Sequence, residues 1–586
     1  GNKLLNFIQN KTCSRFNIDE NLNIYDKTHN VFMYENLEEE LNFFYQSILE
    51  KTPRYPFVCI YGIGNALLIK NLAKHYKHLF VFESEIELFI LALSTIDLSE
   101  ELKVYKVVLF DCVAKDLEIQ IAMIFDQQSI LEYLSLYEMF ISSHYYLKYY
   151  ETSILSLNEL CIKSASVAIR NADITCFLPL LTHGQFLQNI PSMLESIPFQ
   201  RILSQRKNKF DNAIVVSAGP SLAKQLPLLK ACQDKAVIFC ADGALSMLEK
   251  EGIVPDYVTN LDFTDLAMKF FQNKENLKQS IIALECATHP NVAHSLKAEN
   301  CMIVLRNKAL YQRFNFNDFG YIDTGTHVSH FSYTLALALG FKNIIMIGQD
   351  LAFDEEGNSH SKGFDFGEKF SGEENIDKLK IPAYAGKGEV LTHTTWNDYR
   401  IKLEYLFACN DQKAKFYNAT EGGARINFTE ELSFKECCEK LLTKEKPKFE
   451  LPKSLTKNRS DKLLVKFKEK IQKDQENAKR FLDDALALKQ ILENILSKDF
   501  ILPLEFLEKV YQNIENFNHS LDEDEFIQDE VLRGAFAYRG KLISDVLKLH
   551  IKDETHFITA YIKAYHEWLL YFVEKLEQKY KSLSKV

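Results

Sequence analysis

Residues 214–229 read IVVSAGPSLAKQLPLL. The run begins as an apolar strand, breaks at Gly219-Pro220 and resumes with helical spacing. Gly219 lets the backbone approach a neighbour or a ligand closely. Pro220 suits the first turn of a helix, where its missing N–H costs nothing. Ser221 sets a hydroxyl beside free helix N–H groups. Such a turn is either an anion cradle at the positive end of a helix or a tight connection built from small residues. It is neither a Walker loop nor a GxGxxG fingerprint, because the lysine and the spaced glycines are absent.

Reading outward, the chain from about 196 to 445 alternates short apolar strands with helical patterns. The strands are AIVVSA, AVIFCA, YVTNLD, SIIALEC, CMIVLR and NIIMIGQDLAF. That alternation predicts a mostly parallel α/β sheet covered on both faces. Ligands in such sheets sit at the carboxyl ends of the strands. Ser217, Ser221, Asp242, Asn260, Asp262, Glu285, Gln349 and Asp350 fall there.

Residues 1–195 open with a second α/β pattern. Phe57 to Tyr61 reads as a strand, followed by Gly62-Ile63-Gly64, a helix, and a strand ending at Glu83. The spacing allows a cofactor over the glycines with Glu83 on its ribose. Two glycines also serve any tight turn, and a structural Rossmann-like domain is the favoured reading. Residues 128–200 read as mostly helical. After a charged, proline-bearing linker near 443–462, residues 446–586 read as a helical domain. Its apolar stripe, Leu464, Phe467, Ile471, Ala478, Phe481, Ala485, Leu488, Leu492 and Ile495, is broken by one polar gap at Asp474-Gln475. The stripe fits a helix packed in a bundle or a docking face for a partner.

Composition bounds the function. The chain has 586 residues, 47% of them hydrophobic and 25% charged, with a net charge of -11. That length calls for two to four domains. The acidic balance argues against a broad nucleic-acid face. Twelve cysteines lie scattered without CxxC spacing, several in apolar runs. They read as reduced core thiols of a cytoplasmic protein, not as a zinc site. No apolar run is long enough for a membrane span. The opening GNKLLNFIQNK lacks the apolar core of a secretory signal.

Three further stretches join the opening one: PDYVTNLD, GQDLAF followed by a Gly and a His, and NATEGGA. The set resembles the motility-associated factor (Maf) flagellin glycosyltransferases, throughout the second region and more loosely in the outer two. AGPSL, Thr324-Gly325 and ALGFKNIIMIGQDLAF are also similar to bacterial sialyltransferases that use CMP-sialic acid. The same core resembles an archaeal pterin diphosphokinase.

The Maf resemblance implies transfer of pseudaminic or legionaminic acid from its CMP-activated form to Ser or Thr hydroxyls of flagellin, in flagellum assembly and motility. No cofactor beyond that donor and no metal is implied. Gly219, Pro220 and Ser221 are then expected near the CMP moiety. Asp242 and Asn260 are expected to bond ribose or cytosine, or to cap the helices that follow them. Gln349 and Asp350 are expected at the substrate. Thr324, Gly325 and Thr326 match the sialyltransferase stretch that lines the donor. Thr420, Glu421, Gly422 and Gly423 form a second glycine turn around it. His360 either donates to the phosphate or caps its own turn. His393 matches the catalytic His of the sialyltransferases, with Asp262 the rival base. Arg400 and Lys387 are candidates for the sugar carboxylate. His327 and His330 have metal-ligand spacing but no Cys or carboxylate beside them, which favours a packed or capping role. Two other readings remain. One is a diphosphokinase needing Mg²⁺ and clustered carboxylates. The other is a flagellin chaperone with a vestigial donor site. A methyltransferase built on Gly62, Gly64 and Glu83 ranks last.

Overall fold

A computed structural model describes residues 14–272, 275–370, 377–498, 500 and 502–585. The opening GNKLLNFIQNK lies outside the described residues. The chain forms two compact units. One joins Gly1–Leu178 to Ala478–Gln578, and the other joins Pro179–Asn477 to Lys579–Val586.

In the first unit, strands β1 (Phe16–Ile18), β2 (Ile24–Asp26) and β3 (Val31–Phe32) form a small antiparallel sheet. Strands β4 (Phe57–Tyr61), β5 (His78–Glu83), β6 (Val107–Asp111) and β7 (Met139–Ile141) form a parallel sheet in the order β6-β5-β4-β7. Every residue of β4 is buried, which explains its unbroken apolar run. The glycine turn after β4 is occupied by the chain itself. Gly64 N–H donates to the Tyr146 hydroxyl at 3.1 Å, and Asn65 N–H to the Tyr34 hydroxyl at 3.3 Å. Glu83 accepts from Ile63 N at 3.0 Å, Glu85 N at 2.9 Å and the Tyr146 hydroxyl at 2.6 Å. A Cβ on Gly62 would lie 2.2 Å from the Tyr146 ring. The groups that could face a dinucleotide therefore face tyrosines, and burial pushes the Glu83 carboxyl up to about 7.

The predicted apolar stripe lies on the helix Lys457–Leu496 and is buried from Phe467 to Ile495, so it is core and not an open docking face. Its polar gap is filled: buried Asp474 pairs with buried Arg313, both within the second unit. The helical residues 478–578 centre on Trp568, fully buried, whose indole N–H donates to the Ala535 carbonyl at 2.8 Å.

The second unit is built on one nine-stranded sheet. Its strands are β8 (Asn212–Val216), β9 (Val237–Ala241), β10 (Tyr257–Asn260), β11 (Ile281–Glu285), β12 (Cys301–Arg306), β13 (Tyr321–Ile322), β14 (Asn343–Ile347), β17 (Lys415–Asn418) and β18 (Glu430–Glu431). The order is β13-β12-β11-β10-β9-β8-β14-β17-β18, and each neighbouring pair is parallel. The chain walks outward from β8 to β13, returns to the free side of β8 with β14, and continues to β18. A separate antiparallel hairpin of β15 (Lys378–Pro382) and β16 (Glu389–His393) stands outside this sheet. The reversal between β8 and β14 is a topological switch point, the crevice where open parallel sheets bind ligands.

Among the described residues, no helix is long and apolar enough to cross a membrane.

Candidate functional site

The Ser217–Ser221 turn leaves β8 at this switch point, and Gly348–Asp350 leaves β14 beside it. Parallel pairing carries Val216 against Ile347, so the two turns emerge in register. Ser217 Oγ donates to Gln349 Oε1 at 2.9 Å, and Gly219 N to Gly348 O at 2.8 Å. A Cβ on Gly219 would stand 2.5 Å from Gly348 O and 2.8 Å from Asp350 Cγ. Gly219 is therefore required by the approach of the two turns.

The helix Leu222–Cys232 starts here, and its first N–H groups already have acceptors. Ser221 N donates to Asp350 Oδ2 at 2.5 Å, and Ser221 Oγ to Asp350 Oδ1. Leu222 N donates to Gly219 O at 3.0 Å, and Ala223 N to Ser361 Oγ at 3.1 Å. The cradle the sequence offers to an anion holds the protein's own carboxylate. Burial pushes the Asp350 carboxyl up to about 6, against the bonds from Ser221 and the charge of Lys224.

The Thr420–Gly423 turn after β17 closes the other side. Thr420 Oγ1 donates to Asn418 Oδ1 at 2.8 Å, and Lys224 Nζ to Glu421 O at 2.6 Å. Gly423 has φ +74°, and a Cβ there would lie 2.5 Å from the Asp350 backbone. A Cβ on Gly422 would be 3.7 Å from Ser221 Cβ. Leu351 (φ 49°) and Glu421 (φ 53°) hold left-handed backbone on either side of this contact. Such strain persists where the surrounding fold over-determines it.

Asp242 and Asn260 meet at the ends of β9 and β10. Asn260 Nδ2 donates to Asp242 Oδ2 at 2.5 Å, and Gly243 N to Asp242 Oδ1 at 2.7 Å. Burial pushes the Asp242 carboxyl up to about 7; the bonds from Asn260 and Gly243 oppose this, and Asp262 nearby adds to it. The pair adjoins the opening turn, because a Cβ on Gly243 would lie 3.7 Å from Ala218 Cβ. Asn260 Oδ1 is buried with no hydrogen-bond partner. Asp262 accepts from Thr264 N and Oγ1 at 2.8 and 2.9 Å, closing its own turn. Glu285, at the end of β11, pairs with Arg306 at 3.1 Å.

Thr324 is fully buried, and its hydroxyl lacks a partner. Gly325 has φ +68° with the His330 ring 2.3 Å from where its Cβ would stand, while Thr326 is exposed. His327 caps the helix Val328–Leu339 by accepting from His330 N at 3.3 Å, and its ring stacks on Tyr399 at 4.6 Å. That is the capping and packing role expected of it. Burial pushes both imidazoles below their ordinary value. Thr259 Oγ1 and Ser332 Oγ, 2.7 Å apart, seat this helix on β10.

Residues 359–370 cover the opening turn with an aromatic wall the sequence reading did not identify. Ser361 N donates to Ala218 O at 2.8 Å, and the Phe364 ring lies 3.0 Å from a Cβ position on Gly243. His360 stacks on Phe364 at 3.9 Å, and burial pushes its imidazole down to about 4. Ser359 Oγ lies 2.9 Å from its Nδ1. His393 is buried at the start of the helix Thr394–Ala408, its ring 4.1 Å from Trp396. Trp396 also faces His360, at 6.5 Å, and so bridges the two histidines. Arg400 is bound to Glu404 and Asn397, and Lys387 is exposed in the β15–β16 turn. Lys224, unnoticed in the sequence, is the cation beside Asp350. The interleaved aromatics of SKGFDFGEKF were the available sign of the wall. Among the described residues, no three His, Cys, Asp or Glu side chains converge to hold a metal ion.

Residues 184–356 match the family model described as 6-hydroxymethylpterin diphosphokinase MptE-like. No curated protein matches the chain. Among solved structures, the chain is similar to a Maf glycosyltransferase from Magnetospirillum magneticum AMB-1. The two are 14% identical, with a TM-score of 0.55 over 100% of this chain and 97% of that one. From its Rossmann-like first unit through its nine-stranded sheet and helical C-terminal region, the chain has the mixed α/β fold of that glycosyltransferase structure.

Proposed function

We propose that the chain is a glycosyltransferase that moves a nonulosonic acid, pseudaminic or legionaminic acid, from its CMP-activated form to Ser or Thr hydroxyls of flagellin in the cytoplasm. The observation that carries this reading is the convergence at one switch point. Ser217–Ser221, Gln349-Asp350 and Thr420–Gly423, far apart in sequence, interlock there. Next to them, at the end of β10, Asn260 Oδ1 is a buried polar atom without a partner, and Thr324 Oγ1, in the stretch between β13 and the helix Val328–Leu339, is another. An unpartnered buried group costs about 1–3 kcal/mol, which a ligand bond would recover. Asn260 Oδ1 is an acceptor suited to an exocyclic amine or a ribose hydroxyl. Thr324 Oγ1 is a donor suited to a carboxylate or phosphate oxygen. Likeness to the Maf glycosyltransferase structure over the whole chain supports a transferase over other uses of this core.

In the reaction, the acceptor oxygen attacks the anomeric carbon and the bond from that carbon to the phosphate oxygen breaks. CMP leaves from an oxocarbenium-like state. The acceptor proton passes to His393 or Asp262, the two candidate bases. His360, held neutral by burial, serves as a neutral N–H donor to the leaving phosphate. The aromatic wall of Phe364 and Trp396 excludes water from the donor.

A diphosphokinase is the second reading, favoured by the match of residues 184–356. Calorimetric titration of CMP and ATP into wild type, Ser221→Arg and Asn260→Ala separates the two. Selective CMP binding, weakened in both variants while each still unfolds cooperatively as a folded protein, supports the transferase. A preference for ATP together with activity abolished by chelator refutes it. CMP binding and flagellin capture without sugar transfer would point to the chaperone.

A further inference from the structure

The first unit contains a cavity of about 890 Å³, walled by the ends of the parallel sheet and the helices Leu504–Asp522 and Glu554–Leu583. At its floor the buried Arg539 guanidinium bonds Glu132 through Nε at 3.0 Å and Nη2 at 2.9 and 3.1 Å. Its Nη1 donates to Asn518 Oδ1 at 2.8 Å. The floor cation is thereby neutralised. Glu515 on the wall differs. Its Oε1 accepts from two neutral donors, the Tyr561 hydroxyl at 3.2 Å and Asn518 Nδ2 at 3.3 Å. Among the described residues no Lys, Arg or His pairs with it. The Tyr511 and Tyr561 rings lie 4.9 Å apart on the same wall, and Tyr133 completes it. Arg54, Lys77 and Arg539 face five lining carboxylates, an excess of two negative charges.

We propose that this cavity binds an organic cation of the alkylammonium class, with Glu515 as counter-ion and the Tyr511 and Tyr561 rings against its methylenes or methyls. Aromatic faces beside an unpaired carboxylate attract such a cation through both charge and ring quadrupole. The excess negative charge repels phosphates and carboxylates. The polar lining gives a purely apolar guest little to gain. The cation comes either from a free amine or from a lysine side chain of a protein. The inference does not rest on the transferase reading.

Calorimetric titration of the full-length protein tests it, with choline, spermidine and Nα-acetyl-lysine methylamide as probes. The neutral choline isostere 3,3-dimethylbutanol and methyl β-glucoside are the controls. The expected result is millimolar or tighter binding of at least one amine and none of either control. Choline or spermidine binding marks a free amine, and selective lysine-amide binding marks a side chain. Glu515→Gln keeps an acceptor for Tyr561 and should weaken binding about tenfold or more, consistent with loss of a charge-assisted contact. Tyr511→Leu should weaken it about threefold or more. CMP binding in both variants should equal wild type, which separates failure here from failure of the donor site. No binding by any amine, equal binding of 3,3-dimethylbutanol, or undiminished amine affinity in both folded variants would overturn the proposal.

Discussion

Replacing Asp350 with asparagine should leave the central unit as stable as wild type or more so at neutral pH, and the benefit should disappear in acid. The folded-state carboxyl titrates at about 6 against an ordinary 3.8. At about 1.4 kcal/mol per tenfold change, the buried charge costs the folded state about 3 kcal/mol above pH 6. The neutral amide of the Asp350→Asn variant removes that burden. It also gives up one of the two bonds from Ser221, about 1.5–3 kcal/mol for a charged acceptor. The net effect at pH 8 is about 0–1.5 kcal/mol of stabilisation. The sign follows from the raised pKa. Wild type carries the full stability of the protonated group below pH 3.8 and loses it as pH rises through about 6, so its stability falls across that window. The variant lacks this slope. Trp396 and Trp568 are the two tryptophans of the chain, one in each unit. On a Trp568→Phe background, Trp396 fluorescence therefore reports urea unfolding of the central unit alone. The variant-minus-wild-type difference should fall by about 2 kcal/mol between about pH 7.5 and about pH 4.5. A difference independent of pH would mean that Asp350 is not ionised against Ser221, and the reading of the opening turn would fail.

Gly423→Ala puts a Cβ 2.5 Å from the Asp350 backbone at φ +74°, and should cost about 2–4 kcal/mol. Gly388→Ala, at φ +82° with open space around it, should cost about 1 kcal/mol; equal urea midpoints for the two would refute the close packing. Asp474→Ala leaves buried Arg313 without its carboxylate and should cost about 3–5 kcal/mol. The double change Asp474→Leu with Arg313→Met should recover most of that loss, as read by thermal unfolding. Asn260→Ala should weaken CMP about tenfold and also lower the melting temperature, because it removes both the free acceptor the ligand uses and the Nδ2 bond to buried Asp242. Unchanged CMP affinity would remove Asn260 from the donor site.

The six strands read from apolar runs in the central region are β8 to β12 and β14, nearly all buried and parallel. Their continuous hydrophobicity is what two covered faces require. β13 and β18 are two residues long, and β17 carries only KFYN, too short to register as a pattern. β15 and β16 are partly exposed, with lysine and glutamate among their residues. The glycines and polar residues at strand ends were legible because a turn at a sheet edge restricts which residues fit. Their pairing was not legible. Ser221 meets Asp350 across 129 residues, and nothing in the local sequence says that a carboxylate will occupy the helix N-terminus. The Phe364 and Trp396 wall was missed for a related reason: an aromatic in a loop reads as surface until tertiary contact buries it.

The place of β14 in the sheet also orders the birth of the protein. Strands β8 to β13 can pair one after another as the chain leaves the ribosome, each beside the last. Throughout that time the outer flank of β8 stays an open edge, with unpaired N–H and C=O groups along a fully buried, mostly apolar strand. It is capped only when residue 347 has emerged, and the crevice is complete only after residue 423. A nascent chain halted between those points would carry most of the sheet but an unfinished site. One halted before β14 would also carry the sticky edge. The stretch in which this protein most needs a chaperone, or slow translation, is thus written into its strand order.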